Sequence, residues 1–326
     1  MKLPNIPILE NLRNDPIFSR VIKTSSSFFS ASTISTGLSV LQSVLAARLL
    51  GVASFGLLGM VMSYTTSVNR LLSFRMSETV VRYGGEYLEQ KDDKKLAALV
   101  KASSFSEGIV SVIAFLVVIL SADIATRFIL KTPDTQRLLT LYAFGLLANF
   151  NVETSTGILQ ITSKVKQQGF VNLFQAIVTA SIITTAYFID GSLEMVLSAY
   201  LIGKVISGLG ILLVAQIQLR KVLHTNWLTA SIRSLPALKE MGVFAFTSNL
   251  SATAILAFRE SELLWIGLFL SSEAAGYYKA AYAIVSLLSV PANPLILTTY
   301  PEFNRLIVQK SWARLKDFIR KVTGFS

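Results

Sequence analysis

Long apolar stretches alternate with short polar segments along the chain. Eight of the stretches are about as long as the roughly 20 helical residues that cross the hydrocarbon core of a bilayer. They lie at residues 24–47, 55–80, 103–122, 138–161, 169–189, 195–218, 242–269 and 276–299. The pattern therefore predicts an all-α, polytopic membrane protein with eight transmembrane helices.

The composition supports this class and excludes several kinds of chemistry. Of the 326 residues, 52% are hydrophobic and 15% are charged, whereas soluble domains carry about 25% charged residues. The mean hydropathy is +0.57. The chain has no cysteine and one histidine, His224, which excludes a disulfide framework, thiolate chemistry and most histidine-based zinc or triad chemistry. We expect neither a metal site nor a cofactor.

The distribution of lysine and arginine predicts the orientation of the helices. With the N-terminus inside, most of the 30 basic residues fall in inner loops and tails. The positive-inside rule then places the N-terminus and the region after residue 300 in the cytoplasm. The net charge of +11 has the same origin. Since these charges lie beside anionic lipid, we do not expect nucleic-acid binding.

Two parts of the chain resemble each other at an offset of 220 residues. Residues 48–64 and 268–284 align so that Leu50 meets Leu270 and Gly56 meets Gly276. Because the offset covers six helices, both copies enter the membrane in the same direction. The repeat predicts two lobes, with chance similarity of apolar segments as the alternative.

The repeat also predicts the boundaries of the domains. A cytoplasmic segment, 1–23, precedes an N-lobe of six helices, 24–218, and a cytoplasmic linker, 219–241, leads to an incomplete second lobe, 242–326. Two complete copies would take roughly 440 residues. We therefore expect a natural truncation or a partial sequence, in which residues 316–326 approach a ninth helix.

Polar residues recur on single faces of four predicted helices. Steps of three and four residues place the members of each set on one side of a helix. The sets are Ser32, Ser35, Ser39 and Gln42 in the first helix, Ser104, Glu107 and Ser111 in the third, Asn149, Glu153, Thr156 and Gln160 in the fourth, and Gln168, Asn172, Gln175 and Thr179 in the fifth. They favour a shared water-accessible cavity, with packing between helices as the alternative.

Charged residues within the predicted helices indicate what this cavity binds. A charge at the bilayer centre costs about 2.5–3.5 kcal/mol on insertion scales, so it usually faces a cavity or a partner. Arg70 and Lys204 have no acidic residue three or four positions away. Arg259 and Glu262 are spaced to pair with each other. The cations predict a site for a phosphate. The predicted substrate-binding residues are Arg70, Lys204, Glu153, Asn149, Gln175, Asn172, Arg259 and Glu262.

Three segments resemble a known family of transporters. They read ARLLGVASFGLLG (47–59), RYGGEYLEQKDDKKL (82–96) and ELLWIGLFLSSEAAGYYKAAY (262–282). In this order and spacing they are similar to segments of the bacterial polysaccharide transporter family. This family includes the O-antigen and oligosaccharide-repeat flippases of the multidrug/oligosaccharidyl-lipid/polysaccharide exporter superfamily. Glu262 stands where the family more often has Asp.

The resemblance implies a fold, an activity and a set of partners. The implied fold is MATE-like, with an N-lobe of six helices and the start of a second lobe. The implied activity moves undecaprenyl-diphosphate-linked oligosaccharide repeat units across the bacterial inner membrane by alternating access, for surface polysaccharide biosynthesis. The implied partners are this lipid-linked oligosaccharide, membrane lipids and a coupling ion, either H+ or Na+.

The sequence leaves other functions open. A drug/cation antiporter of the same superfamily would use a buried carboxylate such as Glu153, and a lipid II flippase would share the fold. A membrane-embedded polymerase or acyltransferase is disfavoured, because the longest outer loop, 123–137, offers Asp123, Arg127 and Asp134 but no histidine. An inactive truncated remnant is a further alternative, since half of a second lobe cannot enclose a cavity between lobes.

Overall fold

The structure, a computed structural model, describes residues 16–132, 135–223, 226–235, 238–255, 261–286 and 292–323. All regular elements within these ranges are helical. The α-helices are α1 Pro16–Leu72, α2 Met76–Thr79, α3 Gly85–Glu89, α4 Asp93–Ile124, α5 Gln136–Ala148, α6 Val152–Ile161, α7 Val165–Phe188, α8 Leu193–Val222, α9 Leu238–Ile255, α10 Glu262–Phe269, α11 Ser272–Val285, α12 Ala292–Val308 and α13 Trp312–Thr323. We call α1 to α8 the N-lobe and α9 to α13 the second lobe, following the predicted boundaries.

Shorter helical turns connect several of these helices. A π-helical turn, Val80–Gly84, joins α2 to α3, and a second, Ala125–Ile129, extends α4. Two 3-10 turns, Trp227–Thr229 and Ile232–Ser234, lie between α8 and α9. The terms inner end and outer end below follow the predicted orientation.

Helix α1 contains two predicted spans, which meet at Gly51. The backbone of Gly51 has φ 74° and ψ 163°, a combination that is essentially restricted to glycine. The chain turns there between two arms, 16–50 and 52–72, and this turn lies between the first and second predicted spans. The second arm ends at Leu72 rather than at residue 80, because residues 73–75 are not helical before α2 begins.

Four helices in the described ranges are long and apolar enough to cross a membrane. They are Thr33–Leu72, Asp93–Ile129, Val165–Phe188 and Leu193–Val222. The first has 40 residues and contains the second arm of α1 together with residues 33–50 of the first arm. The predicted fourth, seventh and eighth spans each correspond to two shorter helices. The total of eight transmembrane helices therefore stays a prediction.

The predicted fourth span, 138–161, is interrupted at residues 149–151. Helix α6 restarts there with its first backbone N–H groups directed at the buried Glu107 carboxylate of α4. Glu107 accepts hydrogen bonds from the backbone N–H of Glu153 at 2.8 Å and of Thr154 at 2.9 Å. The first N–H groups of a helix lack partners within the helix and carry partial positive charge. The carboxylate therefore stabilises the break.

The larger apolar clusters of the described residues hold the helices together, one towards each end, and a smaller one joins α4 to α5. The outer cluster joins α1, α5, α7 and α8 and includes Phe55, Leu139 and Ile183, with Ala275 contributed by α11. The inner cluster is built on α4, α6 and the end of α8 and includes Leu96. Large apolar side chains also cover the exterior of the long helices, as expected of helices that face lipid. Examples are Leu120, Phe188 and Leu213.

Candidate functional site

Arg70 and Glu153, predicted site residues from different helices, lie near each other. Arg70 is in the last turn of α1, and its exposed guanidinium lies within electrostatic range of Glu153, Arg75 and Tyr282. The Ser77 hydroxyl of α2 donates a hydrogen bond to Glu153 Oε2 at 2.5 Å. Arg70 thus has an acidic neighbour that its own helix does not reveal. A phosphate would compete with this carboxylate for the guanidinium.

Lys204 lies on α8, with its side chain packed against α5. Its Nζ is 5.0 Å from the ring centre of Tyr142. A Cβ atom on Gly145 would lie 2.8 Å from Lys204 Cδ, so the absence of a side chain at Gly145 makes room for the lysine. Among the described residues, no carboxylate lies within 4.0 Å of Nζ. Lys204 therefore has no acidic partner among the described residues, and its role in substrate binding stays a prediction.

The predicted polar faces of α1 and α7 make contacts inside the N-lobe. Gln42 of α1 donates to the Ala176 carbonyl at 2.9 Å. On α7, Gln175 donates to Thr179 at 3.0 Å, and Asn172 accepts from Ser207 of α8 at 3.4 Å. Packing between helices therefore accounts for part of the polar pattern, and the substrate-binding roles of Asn172 and Gln175 stay predictions.

Asn149 follows α5 and marks the start of the break before α6. A Cβ atom on Gly208 of α8 would lie 2.6 Å from Asn149 Oδ1 and would also contact the Ala148 carbonyl oxygen. The missing side chain at Gly208 therefore lets α8 approach the break closely. On the other side of the break, Ser104 donates to Asn151 Oδ1 at 3.2 Å. Polar atoms of α4, α5 and α6 thus converge at this point.

Arg259 and Glu262 are the two predicted site residues in the seventh predicted span, 242–269, and the structure describes only one of them. Glu262 begins α10 and accepts a hydrogen bond from the Tyr278 hydroxyl of α11 at 2.8 Å. Arg259 lies outside the described residues, so its predicted pairing with Glu262 stays untested. The Tyr278 contact crosses a turn between two helices, which is why helical spacing alone did not indicate it.

The two copies of the repeat contact each other at the outer end. A Cβ on Gly56 would lie 2.7 Å from the Gly276 backbone nitrogen and would contact the Ser272 carbonyl, whereas a Cβ on Gly276 would lie 2.8 Å from Val52 Cγ1. Adding 220 to Val52 and Gly56 gives Ser272 and Gly276. The contact is therefore reciprocal, as at an interface with twofold symmetry. This reciprocity supports the predicted repeat. We call these four residues the outer contact.

A second set of contacts joins the lobes at the inner end. Arg305 Nε of α12 lies 2.8 Å from Glu89 Oε1 of α3, and Gln309 donates to the same oxygen at 3.1 Å. The Asn304 side chain donates to the Val81 carbonyl at 3.0 Å. We call these residues the inner contact. Four of them, Val81, Glu89, Asn304 and Arg305, border a cavity of about 260 Å³ that Gln160 and Glu302 also line.

Lys279 is not among the predicted site residues, because it belongs to the few basic residues at the outer ends of the predicted spans. The Nζ atom of Lys279 is buried, 4.2 Å from the ring centre of Phe55 and 5.9 Å from that of Tyr200. A Cβ on Gly59 would lie 2.6 Å from Lys279 Cδ. Gly59 is the residue that aligns with Lys279 at the offset of 220. In the repeat alignment, glycine, the smallest residue, therefore stands opposite lysine, which has a long side chain. This is the feature of the sequence that could have indicated that Lys279 packs over Gly59.

None of the described residues forms a group of three or more histidine, cysteine, aspartate or glutamate side chains that could hold a metal ion. The sites above instead consist of lysine and arginine beside aromatic, amide and hydroxyl groups. Such groups bind anions and sugars, or interact with each other when two helices pack.

Comparison of the sequence with known families establishes the family. The profile of the family described as "Polysaccharide biosynthesis protein" matches residues 21–307. The chain belongs to this family. The chain is also 24% identical over 293 residues to "Inner membrane protein YghQ" of Escherichia coli (strain K12), covering 90% of the chain and 82% of that relative.

Similar solved structures show that the chain has a MATE-like fold. An outward-facing multidrug resistance MATE family transporter of the MOP superfamily matches with a TM-score of 0.71 and 13% identity, over 97% of the chain and 70% of the transporter. A MOP superfamily transporter from Pyrococcus furiosus, described as having a binding pocket of reverse polarity, matches with a TM-score of 0.70 and 14% identity over the same shares. A MATE transporter of Vibrio cholerae matches with a TM-score of 0.69 and 12% identity, over 93% and 68%. These likenesses show the fold, which is one that known membrane transporters adopt.

Proposed function

We propose that this chain is a flippase that moves undecaprenyl-diphosphate-linked oligosaccharide repeat units across the bacterial inner membrane. Lys204 carries this proposal. It places a positive charge within a predicted transmembrane helix, and no carboxylate among the described residues lies within 4.0 Å. A lone cation inside a membrane is costly and usually serves a substrate or ion pathway. An anionic substrate such as a diphosphate would offset that cost.

Other predicted residues would complete the site, some by binding the phosphate and others by binding the sugar. The Arg70 guanidinium could bind a phosphate in the two-point geometry that lysine cannot offer, with Glu153 holding it while the site is empty. The amides of Asn149, Asn172 and Gln175 could exchange their present helix contacts for sugar hydroxyls. The lipid tail would stay in the bilayer between the lobes.

The two contacts between the lobes support alternating access. The inner contact joins α3 and the Val80–Gly84 turn to α12, and the outer contact joins α1 to α11. Both are small sets of residues at opposite ends of the molecule. Opening one while the other stays closed would expose Lys204 and Arg70 to one side at a time. We further propose that the N-terminus is cytoplasmic, in line with the distribution of basic residues.

The test is a flipping assay in liposomes with a fluorescent lipid-linked oligosaccharide. Lys204→Gln should lower the initial rate about tenfold or more, because a hydrogen bond to a charged group contributes about 1.5–3 kcal/mol. Lys204→Arg should retain more activity than Lys204→Gln. The matched control is Lys166→Gln, since Lys166 is an exposed lysine that packs over Phe170, and it should flip at the unsubstituted rate.

One outcome of this assay would favour a second function. Glu153 is a carboxylate near Arg70 that accepts a hydrogen bond from Ser77, and the multidrug transporters show that the fold can carry other substrates. Transport of a cationic dye that requires Glu153 but tolerates Lys204→Gln would identify a drug/cation antiporter. A full rate of oligosaccharide flipping by Lys204→Gln, at normal thermal stability, would refute the anionic site.

A further inference from the structure

The Lys279 amine is enclosed by both lobes without a hydrogen-bonding partner. Lys279 extends from α11 of the second lobe, and its Nζ lies above the ring of Phe55 on α1 and near Tyr200 on α8. The nitrogen is buried, and no described residue forms a hydrogen bond with it. The stem of the side chain fits over Gly59. Lys279 thus lies immediately beside the outer contact.

The groups that face Lys279 offer no compensating negative charge. From α1 they are the Phe55 ring and Gly59, and from α8 the Tyr200 ring. From α10, Leu263 packs on the same glycine, while the Glu262 carboxylate accepts from the Tyr278 hydroxyl.

The acidic residue of α11 itself is Glu273. It is exposed and accepts a hydrogen bond from the Tyr277 hydroxyl at 3.5 Å. No described carboxylate lies within 4.0 Å of Lys279 Nζ.

Such a site tolerates a neutral amine better than an ammonium. Removing an ammonium from water without a paired anion carries a large desolvation penalty, and the positive form is the one that is disfavoured. Attraction to the faces of two aromatic rings offsets only part of that penalty. Separation of α11 from α1 and α8 would return the nitrogen to water, where the ammonium form is stable. Closure and protonation therefore oppose each other.

We propose that Lys279 is a proton-binding site that couples the outer contact to protonation. The contact closes around the neutral amine, and binding of one proton to Nζ, giving the ammonium, drives the lobes apart at the outer end. This proposal rests on the alternating access proposed above and identifies H+ as the coupling ion. The outer end would then open as the pH falls and close as it rises.

The test measures the distance across the outer contact without any substrate. The chain has no native cysteine, so Ala53→Cys and Glu273→Cys, both at exposed positions, can carry a pair of spin labels. Double electron–electron resonance in lipid nanodiscs between pH 5.5 and 9.5 then gives the ratio of separated to closed molecules. This ratio should rise as the pH falls, by up to about tenfold per pH unit for a single proton.

Substitutions at Lys279 should act in opposite directions. Lys279→Met keeps the length of the side chain without the charge and should remain closed at every pH. Lys279→Arg keeps a permanent charge and should remain separated at every pH. Lys166→Met is the matched control, since Lys166 is an exposed lysine that also lies over an aromatic ring, that of Phe170, and it should retain the pH dependence of the labelled parent.

Three outcomes would overturn the proposal: a ratio that does not change with pH in the parent, unchanged pH dependence in Lys279→Met, or a closed distance in Lys279→Arg. Because the opposite substitutions lead to opposite states, general misfolding cannot imitate the expected pattern. The measurement is also independent of lipid-linked oligosaccharide. A chain that shows the expected distances and does not flip would refute the proposed substrate and leave the proton site standing.

Discussion

Gly208 of α8 lies directly against the break between α5 and α6. Its position leaves no room for a side chain, because a Cβ there would contact the Ala148 carbonyl and Asn149. Gly37, in the first arm of α1, is the opposite case, since a Cβ there would have nothing within 4 Å. Substituting alanine for each of these two helical glycines therefore distinguishes the effect of close packing from the effect of backbone flexibility.

We expect Gly208→Ala to destabilise the protein and Gly37→Ala to leave it unchanged or more stable. Alanine in a helix gains about 0.5–1 kcal/mol over glycine through reduced chain entropy, whereas an extra methyl group in a packed contact costs typically about 1–3 kcal/mol. Thermal unfolding in detergent, followed by tryptophan fluorescence, measures both. Equal midpoints for the two variants would show that α8 can move away from the break at little cost.

At the scale of the helices, Glu107 of α4 acts as the cap of α6. Its two carboxylate oxygens accept from the backbone N–H groups of Glu153 and Thr154. These donors have no carbonyl partner in the preceding turn, because the chain is not helical at residues 149–151. One side chain therefore satisfies the start of another helix inside the predicted membrane region, where water is scarce.

Glu107→Ala should destabilise the protein by about 1–3 kcal/mol for each N–H group that loses its acceptor. Glu107→Gln should cost less, because the amide keeps one oxygen as an acceptor. The same unfolding measurement applies, with Glu240→Ala as a control at an exposed position. If Glu107→Ala unfolds at the same temperature as the Glu240 control, water or a rearranged backbone caps α6 instead.

The helices also show which features the sequence could predict. The turn at Gly51 lies between the first two predicted spans, and the reciprocity of the outer contact agrees with the predicted repeat of residues 48–64 and 268–284. The sequence does not predict the break inside the span 138–161, because the cap that permits it comes from Glu107 on another helix. The length of an apolar run reflects only residues that are neighbours along the chain, so it cannot reveal a cap that comes from another helix.

The same limit applies to the predicted site. Lys204 has no acidic neighbour in sequence, and the structure gives it none among the described residues. Arg70 looks equally isolated in the sequence, yet Glu153 lies within its electrostatic range. Lys279 lies near the outer end of a predicted span, and nothing in its neighbourhood along the chain indicates that it is buried. Its burial depends on how the second lobe packs against α1 and α8, which no local pattern contains.

At the scale of the whole molecule, the contact between the lobes at the outer end differs in chemistry from the contact at the inner end. The outer end is closed by backbone contacts at Gly56 and Gly276 beside the buried amine of Lys279. The inner end is closed by polar side chains, with Glu89 and Arg305 only partly buried. An exposed ion pair contributes little to stability, roughly 0–1 kcal/mol. We infer that the inner contact can open at low cost, whereas the outer contact needs a separate driving force.

Reversing one charge of the inner contact should open the inner end, and reversing both should close it again. In Glu89→Arg two guanidinium groups oppose each other, so the loss of about 1 kcal/mol corresponds to about a fivefold change in population. The reporter is Gln160→Cys, since Gln160 is buried, lines the inner cavity and the chain has no other cysteine. Its labelling by an impermeant maleimide in inner-membrane vesicles should speed up with Glu89→Arg and slow down again when Arg305→Glu is added. Equally fast labelling of the single and double variants would show that the cavity opens without breaking this ion pair.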